Sequence, residues 1–212
     1  MFLVDSKLAT RSLAPGKKVY GEKTASVDGE EYRFWDPYRS KLSAAILNGL
    51  KQMPIKPGSS VLYLGAASGT TPSHVSDIVG KNGFVLAVEF APRSMRDLLK
   101  VAEDWENIFP VMADARRPQD YKKFVEGKVD VVYEDVADPS QAEIMVKNSE
   151  EFLKKGGHAM IAIKSQSIDV SKKPEEVYEQ VLRAFGAKFE ILQKMSIMPY
   201  DKDHLFVLMR FR

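Results

Sequence analysis

The sequence predicts an α/β fold: a doubly wound, mostly parallel seven-stranded sheet preceded by a small antiparallel β module. Three observations carry this. From Ser60 onward, short apolar runs alternate with helix-like segments, the pattern of a parallel sheet covered on both faces. The last two apolar runs are separated only by Pro199-Tyr200-Asp201-Lys202-Asp203, close enough to pair antiparallel. Residues 1–35 instead hold short β-like runs broken by turn signals. The expected boundary separates an N-terminal β module and linking helix, residues 1–53, from the main domain, residues 54–212.

Each element has its own signal. Ala14-Pro15-Gly16 marks a turn, and Asp28-Gly29 between Ala25-Ser26-Val27 and Tyr32-Arg33-Phe34-Trp35 predicts a hairpin. Asp36-Pro37 is read as a helix cap with proline at the first helical position. Leu42, Ala45, Ile46 and Gly49 follow at helical spacing, until Pro54 and Pro57-Gly58 end the segment. Then come strand VLYL, helix 71–79, strand FVLAVEF, helix 92–105, strand IFPVMAD and a helix over 118–125. Strand VDVVYED, helix 140–153, strand HAMIAIKS and helix 174–185 complete the alternation, and FEILQKMSIM and HLFVLMRF close the chain.

Composition excludes several chemistries. The chain has 212 residues, 31 basic and 29 acidic, for a net charge of +2. That balance does not grip nucleic acid by bulk charge alone. With no cysteine, disulfides, thiolate catalysis and cysteine-held metals are out, and no metal is expected. The apolar run at the N-terminus is too short for a signal-peptide core, and no run reaches membrane-span length. A cytoplasmic protein is the expectation.

The first strand of the main domain, Val61-Leu62-Tyr63-Leu64, stops at Gly65 and turns through Ala66-Ala67-Ser68 to Gly69-Thr70-Thr71. This is neither the G-x-G-x-x-G spacing of dinucleotide folds nor a P-loop, since no Lys-Ser or Lys-Thr follows. Alone it is a tight strand-to-helix turn. Three strand-end acids change that reading: Glu89, Asp114 and Asp135 close successive strands, where ligands sit in such sheets. Glu89 can accept ribose hydroxyls, and Asp114 an adenine amino group. Small residues and threonine hydroxyls suit adenosine with a short charged tail, as in S-adenosylmethionine, and the sheet plan is the methyltransferase plan. Lys164, after five apolar residues, calls for a carboxylate partner, and Asp135 is the neighbour expected about 5 Å away. Lys41 and His204 have bland readings as a helix lysine and a strand-end histidine.

Longer stretches carry a resemblance. Tyr32-Arg33-Phe34-Trp35-Asp36-Pro37-Tyr38-Arg39-Ser40-Lys41-Leu42, Leu64 to Thr71, and Ala87-Val88-Glu89-Phe90-Ala91-Pro92-Arg93-Ser94-Met95-Arg96-Asp97 resemble fibrillarin in its short archaeal form, as do Asp135 to Pro139 and Ala162 to Ser165. The resemblance implies a ribose 2′-O-methyltransferase using S-adenosylmethionine on rRNA and tRNA. Such an enzyme works in a box C/D guide ribonucleoprotein with a Nop-type scaffold and a kink-turn-binding protein of ribosomal type. Carried over by position, Gly65, Ala67, Thr70, Thr71, Glu89, Phe90, Asp114, Ala115, Asp135, Val136, Ala137 and Asp138 would hold the cofactor. Lys41, Asp135, Lys164 and His204 would form the catalytic group. Position 138 is Asp where many relatives carry Gln, which counts against a side-chain contact there. Related ribose methyltransferases place glutamate where His204 stands. Arg33, Arg39, Arg93, Arg96, Arg116 and Arg117 are local candidates for gripping RNA. The rivals are a stand-alone methyltransferase on another substrate, though no substrate-binding insertion follows the fifth strand, and a non-catalytic assembly subunit.

Overall fold

The computed structural model describes residues 2–212; Met1, first residue of the expected module, lies outside them. The N-terminal module is a four-stranded antiparallel sheet of β1 (Phe2–Val4), β2 (Lys7–Arg11), β3 (Thr24–Val27) and β4 (Glu30–Phe34), ordered β1-β2-β4-β3. Its β3–β4 turn is the expected Asp28-Gly29 hairpin, with φ of +51° and +81° at the two residues, the signs a type I′ turn requires.

Helix α1 (Lys41–Leu47) begins later than Asp36-Pro37 suggested. Two cap candidates compete here, and Ser40 wins. Its hydroxyl accepts the Ser43 N–H at 3.3 Å and the Thr71 hydroxyl at 3.0 Å. Asp36 instead accepts the Tyr38 N–H at 2.8 Å, a local turn that Asx side chains favour.

The main sheet contains β5 (Ser60–Leu64), β6 (Phe84–Glu89), β7 (Ile108–Met112), β8 (Val129–Glu134), β9 (Leu153–Lys164), β10 (Phe189–Ser196) and β11 (His204–Phe211), in the order β10-β11-β9-β8-β5-β6-β7. The first five run parallel, and β11 returns antiparallel between β9 and β10. Helices α2 (Thr70–Val79), α3 (Pro92–Asp104), α4 (Gln141–Phe152) and α6 (Pro174–Phe185) supply the crossovers, with a short α5 (Ser165–Ile168) that periodicity did not reveal. The expected helix over 118–125 is instead two 3₁₀ turns, Pro118–Asp120 and Lys122–Phe124. Only Pro118 and Tyr121 are buried there, too few for an amphipathic α stripe.

Both sheet faces are apolar. One core joins Tyr63, Val75, Leu98, Trp105 and Tyr133 to Trp35 and Leu42 of the N-terminal segment; the other joins Leu62, Val88, Ile144, Phe152 and Ile161. A polar weld adds to the first. Arg33, fully buried, pairs with Glu22 at 2.6 Å and Asp77 at 2.8 Å, and its guanidinium lies 4.4 Å from the Trp105 ring centre. Asp77 also accepts from Thr10, Leu13 and Trp105. His74 is stacked on Trp35 with centroids 4.9 Å apart and bonded through both ring nitrogens, to Thr10 and Tyr20. Burial pushes its pKa well down, so the ring is neutral. Arg33 therefore cannot reach RNA, a correction to its candidacy.

Candidate active site

The strand order reverses between β5 and β8, and their carboxyl ends form the crevice where ligands bind in such sheets. Gly65 leaves β5 with φ of +81°, and a Cβ there would stand 3.0 Å from the Asp135–Val136 backbone. Only glycine permits this approach, and it lets the Asp135 N–H reach the Leu64 carbonyl at 2.9 Å. Ala67 takes a left-handed φ of +48° in the same turn. Its N–H donates to Glu89 Oε2 at 2.8 Å, while the Ala91 N–H donates to Oε1 at 2.8 Å. Glu89 is thus locked at the end of β6, with a second lone pair on each oxygen still available.

A cleft of about 240 Å³ opens there, lined by Gly65, Ala67, Glu89, Phe90, Asp114, Ala115, Asp135, Val136, Ala137, Asp138 and Lys164, among others. Ten of the twelve expected cofactor residues line it; Thr70 and Thr71 do not. The Thr71 hydroxyl is spent on Ser40, and Thr70 faces a neighbouring hollow with Tyr20 and Arg39. Both stand at the start of α2, directly after the Gly65–Gly69 turn that forms the cleft wall. Through Ser40, Thr71 also supports the cap of the helix carrying Lys41. At the far wall, Asp114 holds Arg116 through Nε at 3.0 Å and a terminal nitrogen at 2.8 Å. Hydrogen bonds from this guanidinium hold the Asp114 carboxyl below its usual range, and Arg116 is thereby committed to the cleft wall. Asp138 accepts the Ser140 N–H at 2.8 Å ahead of α4.

The four expected catalytic residues converge at the other end. Asp135 Oδ1 stands 2.9 Å from Lys164 Nζ and 3.2 Å from Lys41 Nζ, three side chains each mostly buried. Lys164 Nζ also donates to the Asp135 carbonyl at 2.7 Å. His204 pairs with Lys164 across β11 and β9, and its Nδ1 lies 3.1 Å from Asp201 Oδ1. Asp201 reaches Lys41 at 3.7 Å, which closes the ring. Because Nδ1 of His204 faces only acceptors, Asp201 and the Lys202 carbonyl, its hydrogen is assigned to Nδ1.

Sequence reasoning missed three members. Asp201 sits in a loop and becomes a partner only when that loop folds over α1. Gln141, fully buried, accepts the Lys164 N–H at 2.9 Å and donates to the Val136 and Ala162 carbonyls. It ties the ends of β8 and β9 together, and nothing in its spacing announced it. Glu134 lies wholly buried beside Asp135, neither oxygen bonded, and burial pushes its carboxyl well up, so it is neutral.

The fibrillarin family model matches residues 2–212. A protein of Pyrococcus abyssi named fibrillarin-like rRNA/tRNA 2′-O-methyltransferase is 53% identical over 204 residues, 96% of this chain and 89% of the relative. The crystal structure of Aeropyrum pernix fibrillarin in complex with natively bound S-adenosyl-L-methionine is 50% identical with a TM-score of 0.89, covering 96% of this chain and 88% of that one. A fibrillarin/Nop5p complex gives 42% identity and a TM-score of 0.90, covering 100% of this chain and 96% of that one. The match along the whole described chain, together with this identity to relatives of nearly equal length, places the protein in the fibrillarin family.

Proposed function

We propose that this chain transfers the methyl group of S-adenosylmethionine to ribose 2′-hydroxyls of rRNA and tRNA. It does so as the catalytic subunit of a box C/D guide ribonucleoprotein. The observation that carries the reading is the position of Asp135 and Lys164. Both line the cleft at the switch point, and both belong to the ion cluster that closes its end. One pair of residues thus touches the places of both substrates.

The cleft fits the nucleoside part of the cofactor. Gly65, Ala67, Ala115 and Ala137 leave room at its walls, and Glu89 presents two anchored oxygens for a ribose diol. When bound, the cofactor supplies a sulfonium methyl as electrophile. The chain's own task is the hydroxyl, a poor nucleophile at neutral pH. Lys164 Nζ donates to the Asp135 carbonyl at 2.7 Å and stands as an ion pair 2.9 Å from its Oδ1. An ammonium has three N–H donors, and those not held by the carbonyl are left for the hydroxyl oxygen. As the O–C bond forms and the C–S bond breaks, the hydroxyl proton passes to the Asp135 carboxylate, the base of the Lys164–Asp135 pair. Lys41 holds Asp135 from the other side and presents positive charge to the adjacent phosphate. Much of the acceleration comes from holding hydroxyl and methyl in line.

The partners are a Nop-type scaffold, a kink-turn-binding protein and a guide RNA that picks the nucleotide by pairing. A net charge of +2 supports such sharing of the RNA grip. The test is to assemble the particle with a guide and follow labelled methyl transfer to matched and mismatched RNA. Transfer only to the paired nucleotide, with little by the chain alone, is expected. Robust site-selective transfer without partners would contradict the shared grip. A complete particle that binds cofactor but transfers nothing would make the chain an assembly subunit.

A further inference from the structure

Beside the ion cluster stands an aromatic pair that the chemistry above does not use. Tyr38 is 70% exposed, the most open aromatic of the described residues, and its ring meets Tyr200 edge to face at 5.2 Å between centroids. Both rings are tethered to the catalytic cluster by short chain. Tyr38 precedes Lys41 by three residues, so their Cα atoms lie within about 11 Å. Tyr200 adjoins Asp201, whose carboxylate is 3.7 Å from Lys41 Nζ.

The backbone that carries both rings is held in place. The Tyr38 N–H is held by Asp36 and the Arg39 N–H by the Asp36 carbonyl at 3.2 Å. The Tyr200 N–H bonds the Ile197 carbonyl at 3.0 Å. Asn48, capping α1, donates to the carbonyls of Ser196 and Met198 and straps the two segments together. The chain on either side of the pair is thus anchored while the Tyr38 ring stays open to solvent. Around it, Arg39, Lys41 and Lys202 carry positive charge, while Asp201 is spent on Lys41 and His204 and Asp36 on its own turn.

We propose that Tyr38, braced by Tyr200, is a stacking platform for a base of the substrate RNA, at the target nucleotide or one step from it. The inference rests on the proposed ribose methylation. A ribose that presents its hydroxyl to Lys164 brings its own base and its neighbour's alongside the cluster. Stacking on an aromatic face accepts every base, which suits an enzyme whose targets are chosen by pairing. The exposed face binds RNA, and the edge against Tyr200 sets its angle.

The assembled particle is tested with substrate RNAs carrying 2-aminopurine at the target or at each neighbour in turn. In wild type, binding quenches fluorescence at one of these positions. Tyr38→Ala removes that quench and raises the RNA concentration for half-maximal methylation roughly 5- to 100-fold, leaving the saturated rate within threefold. Tyr38→Phe restores both. An unchanged quench and half-saturation in Tyr38→Ala overturns the platform. So does a loss that tracks weaker scaffold binding, which makes Tyr38 a protein contact. A wild-type particle that quenches without methylating keeps the platform and sinks the methylation reading.

Discussion

Two ion clusters contrast, one a cation between two carboxylates, built on Arg33, and one a carboxylate between two cations, built on Asp135. In the first, Arg33 is wholly buried between Glu22 and Asp77, and donors from Thr10, Leu13 and Trp105 take the remaining oxygens. In the second, Asp135 serves two lysines, yet Lys164 and Lys41 side chains stay 14% and 21% exposed. The first cluster is saturated and closed to solvent; the second has donor capacity left over and opens onto a cleft. Buried charge is tolerated only where every partner is met, so the closed cluster welds the N-terminal sheet to the main sheet. The open one leaves Lys164 and Asp135 on the cleft wall. Completeness of bonding, rather than the kind of residue, separates the sealed cluster from the open one.

Substitutions break or sharpen that contrast. Lys164→Ala should have the largest effect, a loss of roughly 10²–10⁴ in single-turnover methyl transfer with cofactor binding and particle assembly intact. A variant that keeps more than about a tenth of the rate, under 1.4 kcal/mol of barrier, would remove the lysine from the centre of the mechanism. Adding Asp135→Ala should cost little more, since residues that act as a unit lose activity non-additively. In the closed cluster, Arg33→Met leaves two carboxylates buried without their cation and should destabilise by roughly 3–5 kcal/mol, read by urea unfolding. Activity per folded molecule should be unaffected. A normal unfolding midpoint would show that the weld is dispensable.

Smaller effects come from the cleft. Glu89→Ala should weaken S-adenosylmethionine binding by roughly 1–3 kcal/mol in calorimetry, and equal affinity in a folded variant would take Glu89 out of the site. Glu134 gives a pH test. Its folded pKa is raised, so the folded state binds one more proton than the unfolded chain above the unfolded value near 4.5. Stability from this group is present at low pH and falls as pH rises from there. Glu134→Gln, which cannot ionise, should gain thermal stability relative to wild type at pH 7, and the gap should close towards pH 4. A gap independent of pH would mean that Glu134 is not neutral in the fold.

Sequence by itself determined the sheet plan and most of the cleft. Alternating apolar runs, the Asp28-Gly29 hairpin and the acids ending β6, β7 and β8 are local signals, set by side-chain period and by where each strand stops. They put Glu89, Asp114, Asp135 and Lys164 at one edge without any knowledge of packing. What tertiary structure decided are the contacts between segments far apart in the chain. Whether Asp36 or Ser40 caps α1 depended on Thr71 coming to meet Ser40. Arg33 read as an RNA-gripping residue and proved to be a sealed ion, because its fate hangs on Glu22 and Asp77. Asp201 and Gln141 joined the lysine–aspartate cluster only through a distant loop and strand neighbours. Periodicity tells which face of an element is buried, but a polar side chain's role is set by which partner arrives opposite it, and that is a property of the folded arrangement alone.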